Sequence, residues 1–515
     1  MTSPRDFLVR VTSAAESATL DAAAIAAGTP ARELMRRAGV VAAKRIAHHL
    51  GALGRAGVAV YAGSGNNGGD AWVVARELAR RGFTVRICAA GIPGGADAIA
   101  ARDEARRDVR GSDDPRGDEA VVVDGLLGTG GRGAPRGEIA LAIAQIAAAR
   151  ARGARVVSLD VPSGVDANSG TAEGAVRADL TLAFGSMKRG LLVAREWSGA
   201  IEVLDIGVYA PRAVMLPRLV DPRYVRTQVQ PLSADAHKGI RKKVAIIGGS
   251  RSMAGAVILA GRAAFRSGVG MIRASVARDS IAPVQAALPE ASAFDWPTDT
   301  AAADALREWA DVLVIGPGLG AKAREIVELL LAGNSMPVVL DADAITAFAG
   351  EPAALGALLA RRPAILTPHP SELARLIGSS ASEVLVRRFE AGTDVARMTG
   401  AVVLSKGTPT VCTAPDGSRL VSAAGNAALA VAGSGDLLSG VVGTLLAQIG
   451  DPHVAAACAA WAHGRAAELA RGTRRSLRGV TLDEVTRSLG DVWEHWPDPL
   501  DADVLATLPA AGDLP

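Results

Sequence analysis

Short apolar runs alternate along the chain with longer amphipathic stretches. Each run is three to five residues long, and most lead directly into glycine or a polar side chain. Such runs between helical patterns are typical of buried parallel strands in α/β proteins. The pattern predicts strands at 57–61, 121–124, 156–160, 180–184, 201–204, 243–247, 312–315, 338–340, 364–366 and 402–404.

The amphipathic stretches predict helices over 14–50, 71–81, 255–266, 437–448 and 454–470, the first broken at Gly28-Thr29-Pro30. A hairpin is expected between Thr410 and Ser422. Prolines cluster between Pro211 and Leu232, where the periodicity fails, and this predicts a linker. We therefore expect two α/β domains, 1–220 and 221–515.

Composition narrows the class of protein. A chain of 515 residues with 49% hydrophobic content is too long for one ordinary core. The net charge of +3, without a basic block, argues against nucleic-acid binding. Three isolated cysteines favour a reducing cytosol over zinc or disulfides, and no run reaches the ~20 apolar residues of a membrane span. The N-terminus lacks a signal-peptide pattern, so we expect a cytoplasmic protein.

Polar residues follow three predicted strands of the first half. Asn66, Asn67 and Asp70 occupy a glycine-rich loop whose spacing does not match GxGxxG, and Asp124, Asp160 and Ser163 follow two later strands. Carboxyl ends of parallel strands share one edge of a sheet, where ligands bind. The oxygens suit a hard cation, and Asp160 could also transfer protons. The alternative for each residue is a helix cap or turn former. Lys188 could meet an anion or be a surface lysine.

The segments GNNGGD, DGLLGTGGRG and DVPSGVDANSG resemble the signatures of the NAD(P)H-hydrate epimerase family. The resemblance implies a Rossmann-like fold that interconverts the R and S forms of hydrated NADH and NADPH. It implies a potassium ion held by Asn67, Asp124 and Ser163. It also implies a nucleotide-hydrate site, with Asp160 catalytic, made of Asn66, Asn67, Gly68, Gly69, Asp70, Gly128, Thr129, Gly130, Gly131, Arg132, Gly133, Ala134 and Asp160. Ala71 stands where the family usually has glycine.

The second half contains Gly433-Ser434-Gly435-Asp436 at the start of an apolar helix. Free amides at a helix N-terminus bind phosphate, and Asp436 could take a proton from a hydroxyl that attacks a phosphoryl group. An ordinary glycine-entry helix start is the alternative. Four more strand-end residues have two interpretations each. Asp341 and Asp343 are turn formers or organise magnesium through water, His369 is structural or contacts a ligand, and Lys406 meets phosphates or solvent.

The GxGD sequence is similar to that of the ribokinase-like superfamily. Within it, HKG, GGS, GPGLG, DADA, TPHPSE and KGT resemble the NAD(P)H-hydrate dehydratase family over about 235–470. The resemblance implies hydrate contacts from Ala256, Gly318, Gly320, His369 and Asp436. It implies contacts to an adenine nucleotide, ADP in most bacterial members and ATP in eukaryotic ones, from Lys406, Gly407, Thr408, Pro409, Thr410 and Gly435. Ser434 and Ala427 replace the threonine and proline usual in the family.

Together the halves predict a bifunctional isomerase and lyase that repairs nicotinamide nucleotides. Phosphorylation of the ring hydroxyl by ADP with magnesium makes a good leaving group, with Asp436 as the catalytic base, and only the S hydrate is dehydrated. The expected partners are small molecules, namely the hydrates of NADH and NADPH with ADP or ATP, and the protein is expected to be a homo-oligomer. The alternative is a ribokinase-like vitamin kinase with a non-catalytic N-terminal binding domain.

Overall fold

The computed structural model describes residues 9–54, 56–109, 116–209, 215–474, 476–496 and 499–511. The chain folds into two compact units. The first unit is formed by Val9–Leu216 together with the C-terminal segment Asp498–Leu514, and the second by Pro217–Pro497. No helix in these described ranges is both long and apolar enough to cross a membrane.

The first unit is built on a parallel sheet in the order β8-β6-β5-β4-β2-β3, and β1 pairs with β7 separately. Alternate residues of its strands enter two cores: Val58 and Val60 pack with Leu78, whereas Tyr61 packs with Ile146. The strands are β1 (Val11–Thr12), β2 (Val58–Ala62), β3 (Val85–Ala89), β4 (Val121–Gly125), β5 (Arg155–Leu159), β6 (Leu180–Phe184), β7 (Met187–Lys188) and β8 (Ala200–Leu204). The helices are α1 (Ala14–Ala26), α2 (Ala31–Gly54), α3 (Asn66–Arg80), α4 (Ala96–Asp108), α5 (Gly137–Ala151), α6 (Arg189–Val193) and α7 (Arg195–Ser198).

The second unit has a sheet in the order β12-β11-β10-β13-β14-β15-β16-β17-β18-β9, parallel from β12 to β16 and then antiparallel through β17 and β18. Its strands are β9 (Arg218–Leu219), β10 (Lys243–Gly248), β11 (Met271–Val276), β12 (Ser292–Asp295), β13 (Val312–Ile315), β14 (Val338–Leu340), β15 (Ala364–Leu366), β16 (Val402–Ser405), β17 (Thr410–Thr413) and β18 (Arg419–Ser422). Its helices are α8 (Pro222–Gln228), α9 (Ala254–Arg266), α10 (Arg278–Ala287), α11 (Thr300–Trp309), α12 (Ala323–Leu331), α13 (Asp343–Thr346), α14 (Pro352–Leu359), α15 (Pro370–Ile377), α16 (Ala381–Val386), α17 (Gly392–Thr399), α18 (Ser434–Ile449), α19 (Pro452–Arg471) and α20 (Leu482–Asp491).

The last strand, β19 (Val504–Leu508), returns to the first unit and pairs antiparallel with β8. Val504, Ala506 and Leu508 point into the unit and are buried. Arg45 of α2, already paired with Glu202 of β8, also binds a carboxylate that precedes β19. The predicted boundaries assign this segment to 221–515, whereas the structure makes it the seventh strand of the first sheet.

The predicted α/β class with two domains is confirmed, and all ten predicted strands are present with ends that differ by at most one residue. The expected hairpin is β17 and β18. The prediction did not include β3 and β11, because Arg86 and Arg273 interrupt their apolar runs.

Two local predictions differ from the structure in part. Helix α3 begins at Asn66, so most of the expected glycine loop is the first turn of a helix. Gly68 permits this, because a Cβ there would lie 1.9 Å from the carbonyl oxygen of Gly63. The linker expected between Pro211 and Leu232 includes the boundary between the two units, after Leu216, but it also contains α8. The N-terminus of α8 is capped by Asp221, which accepts from the amide of Tyr224 at 2.8 Å.

Candidate functional sites

A cavity of about 600 Å³ lies at the carboxyl ends of β2, β4 and β5 in the first unit; we call it the N-terminal cavity. Helix α1 and the start of α2 form its opposite side. Eight predicted site residues line it: Asn66, Asn67, Asp70, Gly128, Thr129, Gly130, Gly131 and Asp160. Gly68 and Gly69 are buried in α3. Gly133 and Ala134 instead line a smaller neighbouring cavity of about 240 Å³, and Arg132 lines neither of the two.

Asn67 has a buried oxygen without a hydrogen-bond partner. Its side-chain amide group donates to the carbonyl oxygens of Leu127 at 2.8 Å and Leu159 at 3.2 Å. Its Oδ1 is buried and accepts no hydrogen bond within the described ranges. A buried acceptor left unpaired is costly, so this oxygen is suited to a bound donor or cation.

Asp124 and Ser163 lie beside Asn67. Asp124 is fully buried and accepts from the Ser158 hydroxyl at 2.8 Å and the Ser163 amide at 2.9 Å. The Ser163 hydroxyl also donates to Asp124 and approaches the same Leu127 carbonyl oxygen as Asn67. Burial raises the pKa of Asp124, although these hydrogen bonds act to lower it. Asn67 and Ser163 therefore share one carbonyl oxygen, that of Leu127, and Ser163 also joins Asp124.

Asp160 is paired with a buried lysine. Its Oδ1 accepts from the ammonium of Lys188 and from the amide of Phe184 at 3.1 Å. The side chain of Lys188 is 1% exposed, so the expectation of a surface lysine is wrong. Asp160 also has a φ of +61°, a conformation that few residues other than glycine adopt.

Asp21 is a cavity residue that sequence reasoning missed. It projects from α1 into the N-terminal cavity, and burial raises its pKa despite the opposing charge of Lys188. The pKa of Asp70 is raised well above its usual value, first by burial and then by the charges of Asp160 and Asp21. Asp21 could not be predicted as a cavity residue, because a lone aspartate in an alanine-rich helix gives no local sequence signal of a binding site.

In the second unit, the start of α18 combines an open helix end with a carboxyl group. Gly433 precedes α18 with a φ of +90°, so glycine is favoured there. Asp436 lies in the first turn and has no hydrogen-bond partner among the described residues. Its pKa is raised to about 6, first by burial and then by the charges of Asp341 and Asp343, while Lys406 lowers it. Asp436 is thus poised to exchange a proton near neutral pH.

Lys406 is held at this helix start by acidic partners. Its Nζ lies 2.9 Å from Oδ1 of Asp341 and 3.8 Å from Glu372. A Cβ on Gly435 would lie 3.4 Å from the same Nζ, so the ammonium faces the first turn of α18. Burial disfavours the charged form of Lys406, but Asp341 and Glu372 raise its pKa above the usual value. The lysine is therefore a fixed positive charge beside free helix amides.

Both carboxylate oxygens of Asp341 accept hydrogen bonds from protein donors. Besides Lys406, its carboxylate accepts from the hydroxyls of Thr367 at 2.7 Å and Ser439. Burial acts to raise its pKa, yet Lys406 and these hydroxyls hold that pKa below its usual value. The structure favours neither of the two expected roles, turn former or magnesium organiser, because Asp341 anchors Lys406 instead.

The other predicted residues of this site occupy neighbouring strand-end loops. A Cβ at Gly318 would lie 3.2 Å from Cβ of Ala256, which places these two residues in contact. The amide of Gly320 donates to Asp343 at 2.8 Å. His369 caps α15, because its Nδ1 accepts from two backbone amides, and its Nε2 lies 3.2 Å from Glu372.

The loop of Lys406, Gly407, Thr408, Pro409 and Thr410 lies beside a small depression. Its first four residues line the depression together with Leu373, Val384 and Leu385. Arg388 closes one side and donates to the Thr408 carbonyl oxygen at 3.0 Å. The Thr410 hydroxyl donates back to Gly407 at 3.1 Å.

His463 of α19 is a buried neighbour of α18 that the sequence did not reveal. Its Nε2 lies 3.4 Å from the Ser434 hydroxyl. Burial lowers the pKa of His463 to about 4, with a further contribution from the charge of Lys406. The imidazole is therefore neutral at physiological pH.

Each of the two units matches a family of known proteins. Residues 31–190 match the family model of the YjeF-related protein N-terminus, and residues 244–489 match that of NAD(P)H-hydrate dehydratase. The chain is 34% identical to the bifunctional NAD(P)H-hydrate repair enzyme of Moorella thermoacetica over 500 residues, which cover 88% of this chain and 91% of that one. It is 35% identical over 444 residues to the Escherichia coli enzyme of the same name, covering 84% of each chain.

A solved structure similar to this chain is the ADP/ATP-dependent NAD(P)H-hydrate dehydratase of Bacillus subtilis, co-crystallised with ATP and Mg²⁺. It is 32% identical, covers 54% of this chain and 97% of its own, and has a TM-score of 0.48. Two matching family models, in the same order along the chain as the two units, accompany relatives that are similar over most of their length. The chain belongs to the family of bifunctional NAD(P)H-hydrate repair enzymes.

Proposed function

We propose that the first unit interconverts the R and S hydrates of NADH and NADPH, and that the second returns the S hydrate to the reduced nucleotide at the expense of ADP or ATP. The observation that carries the second activity is the arrangement at α18. A carboxyl group with a pKa of about 6 and a partly buried lysine flank the N-terminal amides of one helix.

The hydrate has a hydroxyl on the ring carbon next to nitrogen, and hydroxide is a poor leaving group. In the proposed step Asp436 accepts the hydroxyl proton while the oxygen attacks the terminal phosphorus of the donor. The nitrogen lone pair then expels phosphate, and loss of a proton from the adjacent carbon restores the ring double bond. Phosphorylation is thus a means to elimination.

Charge on the transferred phosphoryl group is stabilised from two sides. Amides from Gly433 to Gly435 lie at the positive end of α18, which favours anions. The ammonium of Lys406 faces the same turn and is kept charged by Asp341. We propose that Lys406 and Gly435 contact the donor phosphates, and that the loop from Gly407 to Thr410 contacts its adenosine. Ala256, Gly318, Gly320 and His369 are proposed to contact the hydrate.

Magnesium is proposed to accompany the donor. The residues present suit a magnesium ion that is bound by the donor phosphates and contacts the protein through water. The oxygens of Asp341 already accept hydrogen bonds from Lys406, Thr367 and Ser439. Asp343 uses one oxygen for the Gly320 amide and has no described partner for the other. Magnesium would neutralise the donor phosphates there.

For the first unit we propose a potassium ion held by Asn67, Asp124 and Ser163. The orphaned buried Oδ1 of Asn67 supports it, as do the contacts of Asn67 and Ser163 with one carbonyl oxygen and of Ser163 with Asp124. Within the described ranges no group of three or more His, Cys, Asp and Glu side chains could hold a metal, so amide, hydroxyl and carbonyl oxygens would supply the remaining ligands. Such an ion would link the ends of β4 and β5 to the first turn of α3.

The potassium site is tested by thermal denaturation at constant ionic strength in potassium, sodium or choline chloride. Wild type should melt at a higher temperature in potassium, and Asn67→Leu should lose the difference. Asn168→Leu, which removes an asparagine from the same unit but outside the cavity, is the control. Equal melting of the wild type in all three salts would contradict the site.

Catalysis is tested with full-length protein, pure S hydrate and ADP or ATP. The proposal predicts donor-dependent return of reduced-nicotinamide absorbance. A phosphorylated vitamin as the stable product, without that return, would support the vitamin-kinase alternative. For the first unit, Asp160→Ala should remove the enhanced consumption of R hydrate, measured above the spontaneous rate.

Location in the cytoplasm and assembly into a homo-oligomer remain predictions; the free state of Cys88, Cys412 and Cys458 supports the former.

A further inference from the structure

Lys188 is buried in the N-terminal cavity with a defined set of contacts. Its ammonium donates to Oδ1 of Asp160 and to the carbonyl oxygen of Phe184 at 2.7 Å. An ammonium has three N–H donors, so one remains without a protein acceptor among the described residues. A lysine is rarely this deeply buried unless its charge is compensated, and it lines the cavity proposed to hold the hydrate.

The two oxygens of Asp160 have different environments. Oδ1 accepts from Lys188 and from the amide of Phe184, whereas Oδ2 has no donor in the described part of the chain. The backbone is held as well, since the Asp160 amide donates to the carbonyl oxygen of Leu182 at 2.8 Å. One oxygen is thus fixed by the protein and the other is left for a ligand.

The position of Lys188 is set by pairing of the N-terminal segment. Lys188 lies on β7, where its Cα pairs with that of Thr12 on β1. The buried hydroxyls of Thr12 and Ser186 are 2.8 Å apart, which fixes the strand on both sides of Met187. Such support leaves a buried side chain little freedom to move away from Asp160.

We propose that Lys188 is a positioning residue of the epimerase reaction, holding Oδ1 of Asp160 so that Oδ2 takes the proton of the hydrate hydroxyl. This inference rests on the proposed epimerase function of the first unit. Lys188 acts on the reaction only through Asp160. The property of the lysine that matters for this role is its charge rather than its size.

The reaction follows from the chemistry of a hydroxyl on a carbon bonded to nitrogen. As Oδ2 takes the hydroxyl proton, the O–H electron pair forms a C=O bond and the C–N bond breaks, with its electrons going to nitrogen. Nitrogen takes a proton, which gives a ring-opened aldehyde. Rotation about the adjacent C–C bond and the reverse steps then close the ring with the opposite configuration. No oxidant or further reactant is consumed.

A proton donor for nitrogen is present in the same cavity. Asp70 lines it, and burial, followed by the charges of Asp160 and Asp21, raises its pKa well above the usual value. Asp70 and Asp160 line the same cavity, so one carboxyl group can give a proton to nitrogen while the other accepts the hydroxyl proton, as ring opening requires.

The test is R-to-S conversion by full-length protein without ADP or ATP, followed by chromatography, for Lys188→Met and Lys188→Arg. Lys188→Met should lower kcat by about 100-fold or more, in the range of lost proton-transfer catalysis, with KM changed less than about threefold. Lys188→Arg restores the charge and should recover at least about tenfold of that loss. Lys44→Met removes an exposed, carboxylate-paired lysine of the same unit and should change neither parameter.

Three results would overturn the proposal. These are a kcat for Lys188→Met within about threefold of wild type, equal loss in the Met and Arg variants, or a loss confined to KM. Folding is checked by near-ultraviolet circular dichroism; if Lys188→Met is unfolded, the decision rests on Lys188→Arg, which must keep more activity than Asp160→Asn. A wild-type protein that does not accelerate R-to-S conversion refutes the proposed function itself, a distinct result.

Ring opening is tested in water labelled with ¹⁸O. The hydroxyl oxygen stays bonded to its carbon throughout the proposed steps, so S hydrate formed early from R hydrate should keep its original oxygen. Incorporation of one labelled oxygen per epimerisation would show that hydroxide leaves and returns, and the assignment of Asp160 Oδ2 as acceptor of the hydroxyl proton would be wrong.

Discussion

The partly buried Lys406 and the buried Asp341 form an ion pair, with 2.9 Å between Nζ and Oδ1, beside the first turn of α18. Ser439, one turn further along α18, donates its hydroxyl to the other oxygen of Asp341. The pair therefore ties the lysine loop after β16 to the helix whose N-terminus is proposed to bind the transferred phosphoryl group. The position of the positive charge depends on Asp341.

Asp341→Asn should impair dehydration and destabilise the second unit. Removing one partner of a fully buried ion pair costs about 3–5 kcal/mol. The cost here should be smaller, because the Lys406 side chain is 18% exposed and keeps Glu372 at 3.8 Å. Dehydratase kcat should fall at least about tenfold, since Lys406 is no longer fixed, while R-to-S conversion in the first unit should be unchanged. Denaturant unfolding monitored by tryptophan fluorescence gives the stability. Asp394→Asn, at an exposed ion pair, is the control, and an equal effect of both variants would contradict the role of Asp341.

The pH dependence of dehydration should show the titration of Asp436. The base must be ionised, and its pKa is about 6 because burial, Asp341 and Asp343 all raise it. The kcat/KM for S hydrate should therefore be level above about pH 6 and fall about tenfold for each pH unit below it.

Asp343→Asn offers a specific check of that assignment. It removes a charge that raises the pKa of Asp436 while keeping an acceptor for the Gly320 amide, so the acidic limb should move to lower pH. Asp279→Asn, at an exposed carboxylate, should leave the profile in place. A limb that moves to higher pH in Asp343→Asn would show that another group titrates.

His463 should make the second unit sensitive to acid. Its pKa is about 4 when folded, because burial disfavours the imidazolium, and about 6.5 when unfolded. As the pH falls, the unfolded chain binds the proton before the folded chain does, and this favours unfolding. Titration of His463 therefore costs no stability above about pH 6.5, and the loss of stability grows as the pH falls towards about 4. The difference between the two pKa values corresponds to a change on the order of 3 kcal/mol in the free energy of unfolding.

Denaturant unfolding across that pH range tests this expectation. His463→Gln should lose less stability on acidification than wild type, because it removes the group that titrates. His495→Gln replaces an exposed histidine of the same unit and should behave as wild type. Parallel pH dependences for wild type and His463→Gln would contradict the prediction.

The C-terminal strand should be required by the first unit. Ala506 is 1% exposed on β19 and Thr507, next to it, is exposed. Ala506→Asp buries an unpaired carboxylate at a cost of several kcal/mol, whereas Thr507→Asp should change stability by no more than about 0.5 kcal/mol. R-to-S conversion should be lost at a lower temperature in Ala506→Asp alone. Equal thermal inactivation of both variants would show that β19 is dispensable.

The central strands and the polar residues at their carboxyl ends could be predicted from sequence because their signals are local. A run such as Val121-Val122-Val123-Asp124 contains both the buried strand and the polar residue at its end. Strand β19 gives no such signal, because its partner β8 lies about 300 residues away and an edge strand does not need a continuous apolar run.

Four residues whose contacts could not be predicted from the sequence share a physical reason. Lys188 is typical of a surface lysine until the chain brings Asp160, 28 residues earlier, against it. Asp21 and His463 lie in alanine-rich helices and become cavity or core residues only through tertiary packing. The role of Asp341 required its three donors, from loops after β15 and β16 and from α18, to be seen together.

The central claim is that two separate sites act in sequence on one hydrate, and pure R hydrate with ADP or ATP tests it most directly. Wild type should return nearly all the hydrate to reduced nucleotide. Asp436→Asn should stop at a mixture of R and S hydrates, and Asp160→Ala should proceed only at the spontaneous epimerisation rate. Mixing the two variants should restore the wild-type course, because the S hydrate made by one is dehydrated by the other. Return of reduced nucleotide by Asp436→Asn alone, or no gain on mixing, would contradict the account.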